Sequence, residues 1–157
     1  MPSIYYEIFQ FIEEISEQIN TLYNINPKVY IIFSQKNDAI EGECQSAYRI
    51  DLIYLSIIIP NNYVTFGKKH KTEVLSTLIH EYSHYITDIQ LTVKERMKLD
   101  REYENSLFVR RCVEQSNWTM TKHLAQQLGL WNKYFYNVCK ESCYTSNLKY
   151  TRAAKVK

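Results

Sequence analysis

Apolar positions in the opening segment recur at the spacing of a helix. Ile4, Ile8, Phe11, Ile12, Ile15, Ile19 and Leu22 return every three or four residues, while Glu7, Glu14 and Glu17 fall elsewhere. The pattern predicts an amphipathic helix over 3–23 with Ser3 as its N-cap. Asn24-Ile25-Asn26-Pro27 ends it, because the residue before a proline is pushed out of helical geometry. Lys28–Ser34 (KVYIIFS) is rich in β-branched and aromatic residues and reads as a strand. Residues 35–42 read as a polar turn. Residues 47–59 form a long β-rich stretch, one strand or two, that stops at Pro60-Asn61-Asn62. Residues 63–66 are a short third or edge strand closed by Gly67. The period then returns to helical over 72–89, with Thr72 as a candidate N-cap, and over 101–128, ended by Gly129. A short final helix follows at 131–143. Helix, small sheet, then helices describes an α+β domain, and the expected sheet is short and mostly antiparallel. One domain is expected over 1–148, followed by a basic, frayed tail at 149–157.

Composition narrows the class of protein. The chain has 157 residues, 45% hydrophobic and 23% charged, which suits one soluble domain with a core of its own. The net charge is only +2, and the basic residues fall in two small groups: Lys68, Lys69 and Lys71, then Lys149, Arg152, Lys155 and Lys157. That balance argues against a dedicated nucleic-acid binder. No apolar run approaches the roughly 18 residues that span a bilayer. The opening helix mixes acids with its apolar residues and has no basic leader region, so a cytoplasmic protein is expected. Cys44, Cys112, Cys139 and Cys143 then read as ordinary reduced thiols. Cys139 and Cys143 would share a helix face, but a structural zinc site usually takes a second such pair.

The stretch that carries chemistry is Leu78-Ile79-His80-Glu81-Tyr82-Ser83-His84-Tyr85, which contains H-E-x-x-H. Residues four apart on a helix lie one turn apart on one face. Two imidazoles can therefore reach one Zn²⁺, at about 2.0–2.1 Å each. Glu81 projects about 100° around the axis from His80 and about 60° from His84. It stays near the cation yet free to act on water. Leu75, Leu78, Ile79, Tyr82, Ile86 and Ile89 cluster on one side by projection, and His80, Glu81, His84, Glu73, Thr77 and Asp88 on the other.

A catalytic zinc keeps three protein ligands and an open position. Glu102, Glu104, Glu114 and His123 are the candidates for the third. Projected on one helix over 101–128, Leu107, Val113, Trp118, Met120, Leu124, Ala125 and Leu128 define an apolar sector that contains Glu114. Glu104 and His123 fall on the polar side, and Glu102 lies near the apolar edge at the helix start. A carboxylate on a core-facing side is costly unless paired or metal-bound, which makes Glu114 the best third ligand. The competing reading is a salt bridge with Arg110, one turn earlier, and Glu104 is the reserve ligand. Asp88, one turn past His84, is either a carboxylate that orients His84 or a solvated acid at the helix end.

These residues resemble a zincin of the gluzincin type, in which a glutamate from the following helix completes the H-E-x-x-H site. Within that group the chain most resembles the compact ImmA/IrrE-type peptidases of bacteria, phages and mobile elements. The resemblance rests on TLIHEYSHYI at 77–86 and EQSNWTMTKHL at 114–124. It implies a small zincin-like domain with His80, His84 and Glu114 as zinc ligands and Glu81 as the catalytic residue. The implied activity is hydrolysis of a peptide bond in a protein substrate, often a regulator, by a zinc-bound water that Glu81 deprotonates. The other function class is a zinc-containing binding module that sequesters a regulatory protein without cutting it. The strand expected at 63–66 would take up the substrate as an added strand.

Overall fold

A computed structural model describes residues 3–36 and 39–141. Helix α1 covers Ile4–Tyr23, and the Ser3 hydroxyl caps it by accepting from the Tyr6 N–H at 3.3 Å. Its end comes before the proline. Asn24 adopts the left-handed conformation at φ 52° and its N–H returns to the Asn20 carbonyl. Asparagine tolerates that region better than most residues.

Strands β1 (Lys28–Ser34), β2 (Glu41–Ala47) and β3 (Leu52–Pro60) form one sheet in the order β1-β3-β2. β1 runs parallel to β3, and β2 runs antiparallel to it. The sheet is thus mixed, not mostly antiparallel. Side-chain chemistry explains the order. LIYLSIIIP is apolar along nearly its whole length and takes the centre, whereas EGECQSA is polar and takes an edge. Most of the segment expected to be a polar turn precedes or enters β2. The long β-rich stretch splits at a short 3₁₀ turn, Tyr48–Ile50, and at Asp51, which is left-handed at φ 49°.

Residues 63–66 form no strand. Phe66 is buried there with its ring 5.4 Å from that of Phe11, and Tyr63 stacks on His70 at 3.8 Å. These aromatic contacts hold the approach to α2 (Lys68–Asp88), which begins one turn before Thr72. The Thr72 hydroxyl donates to the Lys68 carbonyl at 2.8 Å instead of capping the helix.

The single helix expected over 101–128 is two. Helix α3 (Val93–Asn105) opens on a capping box between Thr92 and Glu95, and α4 covers Leu107–Gln127. Ser106 separates them. Its extended backbone ends α3, and its hydroxyl accepts from the Val109 N–H at 3.2 Å to cap α4. Residues 133–141 are helical again, with Phe135 and Cys139 buried. Cys44, Cys112 and Cys139 form no disulfide among the described residues. Cys143 and the tail at 149–157 lie outside those residues. No described helix is long and apolar enough to cross a membrane.

Helix α2 is the centre of this α+β fold. Ile8, Ile12, Ile15 and Ile19 of α1, Leu55, Ile57 and Ile59 of β3, and Val74, Leu78, Ile79 and Tyr82 of α2 form one core with Leu124 and Ala125 of α4. Both sides of α2 are therefore covered, not only its apolar side. Ile57 stands opposite Ile31 on one flank and Gly42 on the other. Replacing it with alanine removes a fully buried side chain from the middle of the sheet. Ile57→Ala is expected to cost about 2–5 kcal/mol, read as a lowered denaturant midpoint at unchanged slope. A loss below half a kilocalorie would show that β3 is not packed as described.

Candidate metal centre

The middle of α2 and the first half of α4 meet face to face, and the contact is polar although it is buried. His80, Glu81 and Glu114 are 7%, 6% and 8% exposed. One ligand atom from each of His80, Glu81 and His84 lies within 4.8 Å of the others, a grouping that can hold a metal ion. Glu114 joins them from α4. Its Oε2 lies 3.0 Å from His80 Nε2, its Oε1 lies 3.4 Å from His84 Nε2, and the two Nε2 atoms are 3.2 Å apart. Of the candidate third ligands, the fold brings Glu114 to the histidine pair. Glu102, Glu104 and His123 are exposed.

Three side chains of the cluster are held from behind. The Tyr103 hydroxyl donates to Glu114 Oε1 at 2.9 Å. The His80 ring stacks on Trp118 with centroids 4.1 Å apart and planes 24° apart, and its Nδ1 lies 3.3 Å from Thr121 Oγ1. Glu81 is held by the sheet. A Cβ on Gly42 would stand 2.5 Å from Glu81 Cγ and 2.8 Å from both Glu81 Oε1 and Thr77 Cγ2. Only a residue without a side chain lets edge strand β2 run this close to the glutamate.

Electrostatics separate the two carboxylates. Burial pushes Glu81 up to about 7; the charge of His84 opposes this, and those of Glu114, Glu43 and Asp88 add to it. Burial also acts on Glu114, but the two imidazoles in contact with it hold its carboxyl well below the usual range. His80 is lowered, chiefly by burial, with Glu114 acting the other way. Burial would lower His84 as well, yet contact with Glu114 and the charges of Glu81 and Asp88 raise it. Asp88 lies with its Oδ2 3.8 Å from Cys44 Sγ, so its nearest described partner is the thiol on β2. The Cys44 thiol is raised in turn, by burial first and by Asp88 next.

Tyr103, Thr121, Trp118 and Gly42 are contributors that sequence reasoning passed over. Thr121 carried a readable signal, since it sits seven positions after Glu114 (121 − 114 = 7) and so on the same helix face. No protein-family model, no curated protein and no solved structure matches this chain.

The close approach of β2 to Glu81 leaves no room for a methyl group at position 42. Gly42→Ala is expected to destabilise the fold by about 1–3 kcal/mol, the usual cost of overpacking. A thermal melt equal to that of the parent would mean that strand and glutamate are farther apart than described.

Proposed function

We propose that the chain is a small zinc-dependent metallopeptidase of the gluzincin type, akin to the compact ImmA/IrrE-type enzymes, that hydrolyses a peptide bond in a protein substrate. His80, His84 and Glu114 would hold the ion, and Glu81 is the catalytic carboxylate. The observation that carries this reading is the spacing of the ligand atoms. Bonds of about 2.0–2.1 Å to a tetrahedral ion put neighbouring ligand atoms about 3.3 Å apart. The two Nε2 atoms are 3.2 Å apart, and each faces its own oxygen of Glu114, Oε2 at 3.0 Å from His80 and Oε1 at 3.4 Å from His84, so the carboxylate would meet the ion between them. The donor set of two imidazoles and one carboxylate also suits a catalytic zinc, which keeps one position open.

Bound zinc would supply a Lewis acid that acidifies water and polarises a carbonyl. The chain's own groups do the rest. Glu81, outside the ligand trio but buried beside it, takes a proton from water as general base and delivers it to the leaving amine. Gly42 keeps β2 against that glutamate, so a substrate segment added along the free edge of β2 would run past the reacting groups. The edge strand for this role is β2, in place of residues 63–66. The cytoplasm, where a regulator would be met, is the compartment this reading takes.

Two variants test it. Purified protein should contain one equivalent of zinc by atomic spectroscopy and should cut members of a quenched-fluorescent peptide library. His80→Ala should lose the metal. Glu81→Gln should keep both zinc and fold while cleavage drops by ~10²–10⁴-fold, the usual contribution of a general base. A parent protein without zinc, or a Glu81→Gln protein that cuts at the parental rate, would sink the proposal. Zinc in place with no peptide cut would favour the binding module that sequesters a regulator.

A further inference from the structure

A metal-binding imidazole has two nitrogens, and something must decide which of them faces the ion. At His80 the surroundings of the second nitrogen are unusually restrictive. Nδ1 lies 3.3 Å from Thr121 Oγ1. A threonine hydroxyl has one proton, and here that proton goes to the Asn117 carbonyl of the same helix, 2.7 Å away. Among the described residues the other hydroxyl in contact is Ser83 Oγ, 3.2 Å from Thr121 Oγ1, and it donates to the Ile79 carbonyl at 2.9 Å. The contacts to the backbone carbonyls are the shorter ones, which assigns both hydroxyl protons to them. Thr121 Oγ1 has only lone pairs left for the ring.

We propose that Thr121 is a positioning residue that accepts the Nδ1–H of His80 and so turns the Nε2 lone pair toward His84 and Glu114. This inference rests on the metallopeptidase reading and extends it to the means by which the ligand is oriented. A ring with its proton on Nε2 would present Nδ1 as an acceptor to an oxygen with no proton to give. Relieving that clash would break the 2.7 Å bond to Asn117. Trp118 fixes the plane of the ring by stacking, and Thr121 fixes which nitrogen points inward. The same face of α4 then serves both ends of the site. Glu114 meets the two Nε2 atoms, and Thr121, seven residues on (121 − 114 = 7), meets the opposite side of the His80 ring.

Valine matches threonine in shape and lacks the acceptor, and serine restores it. Zinc affinity of the parent, Thr121→Val and Thr121→Ser proteins is measured by competition with a chromophoric chelator. Loss of a partner behind a metal-bound histidine typically weakens binding by about 10–100-fold. Thr121→Val should fall in that range, and Thr121→Ser should stay within a few-fold of the parent. Proton NMR of the zinc-loaded parent should show a slowly exchanging His80 Nδ1–H. Parental affinity in Thr121→Val, or a fast-exchanging Nδ1–H in the parent, overturns the role of Thr121 and leaves the metallopeptidase reading standing. A parent protein that binds no zinc overturns both. Should Thr121→Val fail to fold, the proton signal of the loaded parent still decides.

Discussion

Three ionisable side chains are buried where α2 and α4 touch, and the rest of the structure is arranged around that fact. Taking His80, Glu81 and Glu114 out of water is expensive unless every polar atom finds a partner. The outward-facing atoms of Glu114 and His80 do. Tyr103 donates to one oxygen of Glu114, and Thr121 lies against the outer nitrogen of His80. The inward-facing atoms are different. Two Nε2 atoms and a carboxylate converge on one another, and three electron-rich groups at such distances repel unless a positive charge lies among them. A bound proton answers part of that need. A divalent cation would answer it in full, and His80, Glu81 and His84 form a grouping that can hold one.

The fold supplies rigidity for this cluster by making its carrier the innermost helix. α2 has β3 and α1 packed against one side and α4 against the other, so Leu78, Ile79 and Tyr82 are as deeply buried as the residues of the sheet. Sites built on packed helices hold their geometry better than sites on loops. The sheet adds a constraint of its own. Gly42 brings the backbone of an edge strand close to Glu81 and leaves beside it a strand edge that is unpaired among the described residues. One glycine thereby joins the positioning of a carboxylate to the provision of a surface where a peptide can pair.

Much of the site could be read in the sequence, and less of the fold around it. The H-E-x-x-H spacing on a helical pattern located His80, Glu81 and His84. Projection picked Glu114 as the one acid on the buried side of the next helix. The buried placement of Glu114 did not depend on the helix being continuous, because Glu114 and its apolar reference residues all lie within α4, where the phase is unbroken. The break at Ser106 was missed because Asn105-Ser106, a pair that suits a cap or turn, also sits within a run of helical apolar spacing, and its capping bond depends on the turn the chain makes there. β2 was missed because Glu41–Ala47 lacks the β-branched and aromatic residues that mark strands; it is a strand because β3 needs a partner. Residues 63–66 show the reverse, with strand-like chemistry used for core and stacking contacts. Thr121 and Tyr103 escaped notice because an uncharged polar residue on a buried face looks like filler until its partner is known.

The break at Ser106 also explains how Tyr103 can serve the site at all. Tyr103 precedes Glu114 by 11 positions. In a continuous helix those residues would stand about 16 Å apart along the axis, beyond the combined reach of a phenol and a carboxylate. Ending α3 at Asn105 and restarting at Leu107 folds the two helices against each other and brings the hydroxyl to 2.9 Å from Glu114. The far end of α3 is anchored as well. Arg96, buried near its start, donates to Asp51 in the turn between β2 and β3, and Asp51 sits there in a left-handed conformation. α3 is thus a strut fixed at one end to the sheet and at the other to a site carboxylate. The sheet holds Glu81 through Gly42 and, by way of α3, also holds Glu114. The two carboxylates of the site, one held low and one held high, are therefore both braced by the sheet, Glu81 at β2 itself and Glu114 through α3 and the turn between β2 and β3.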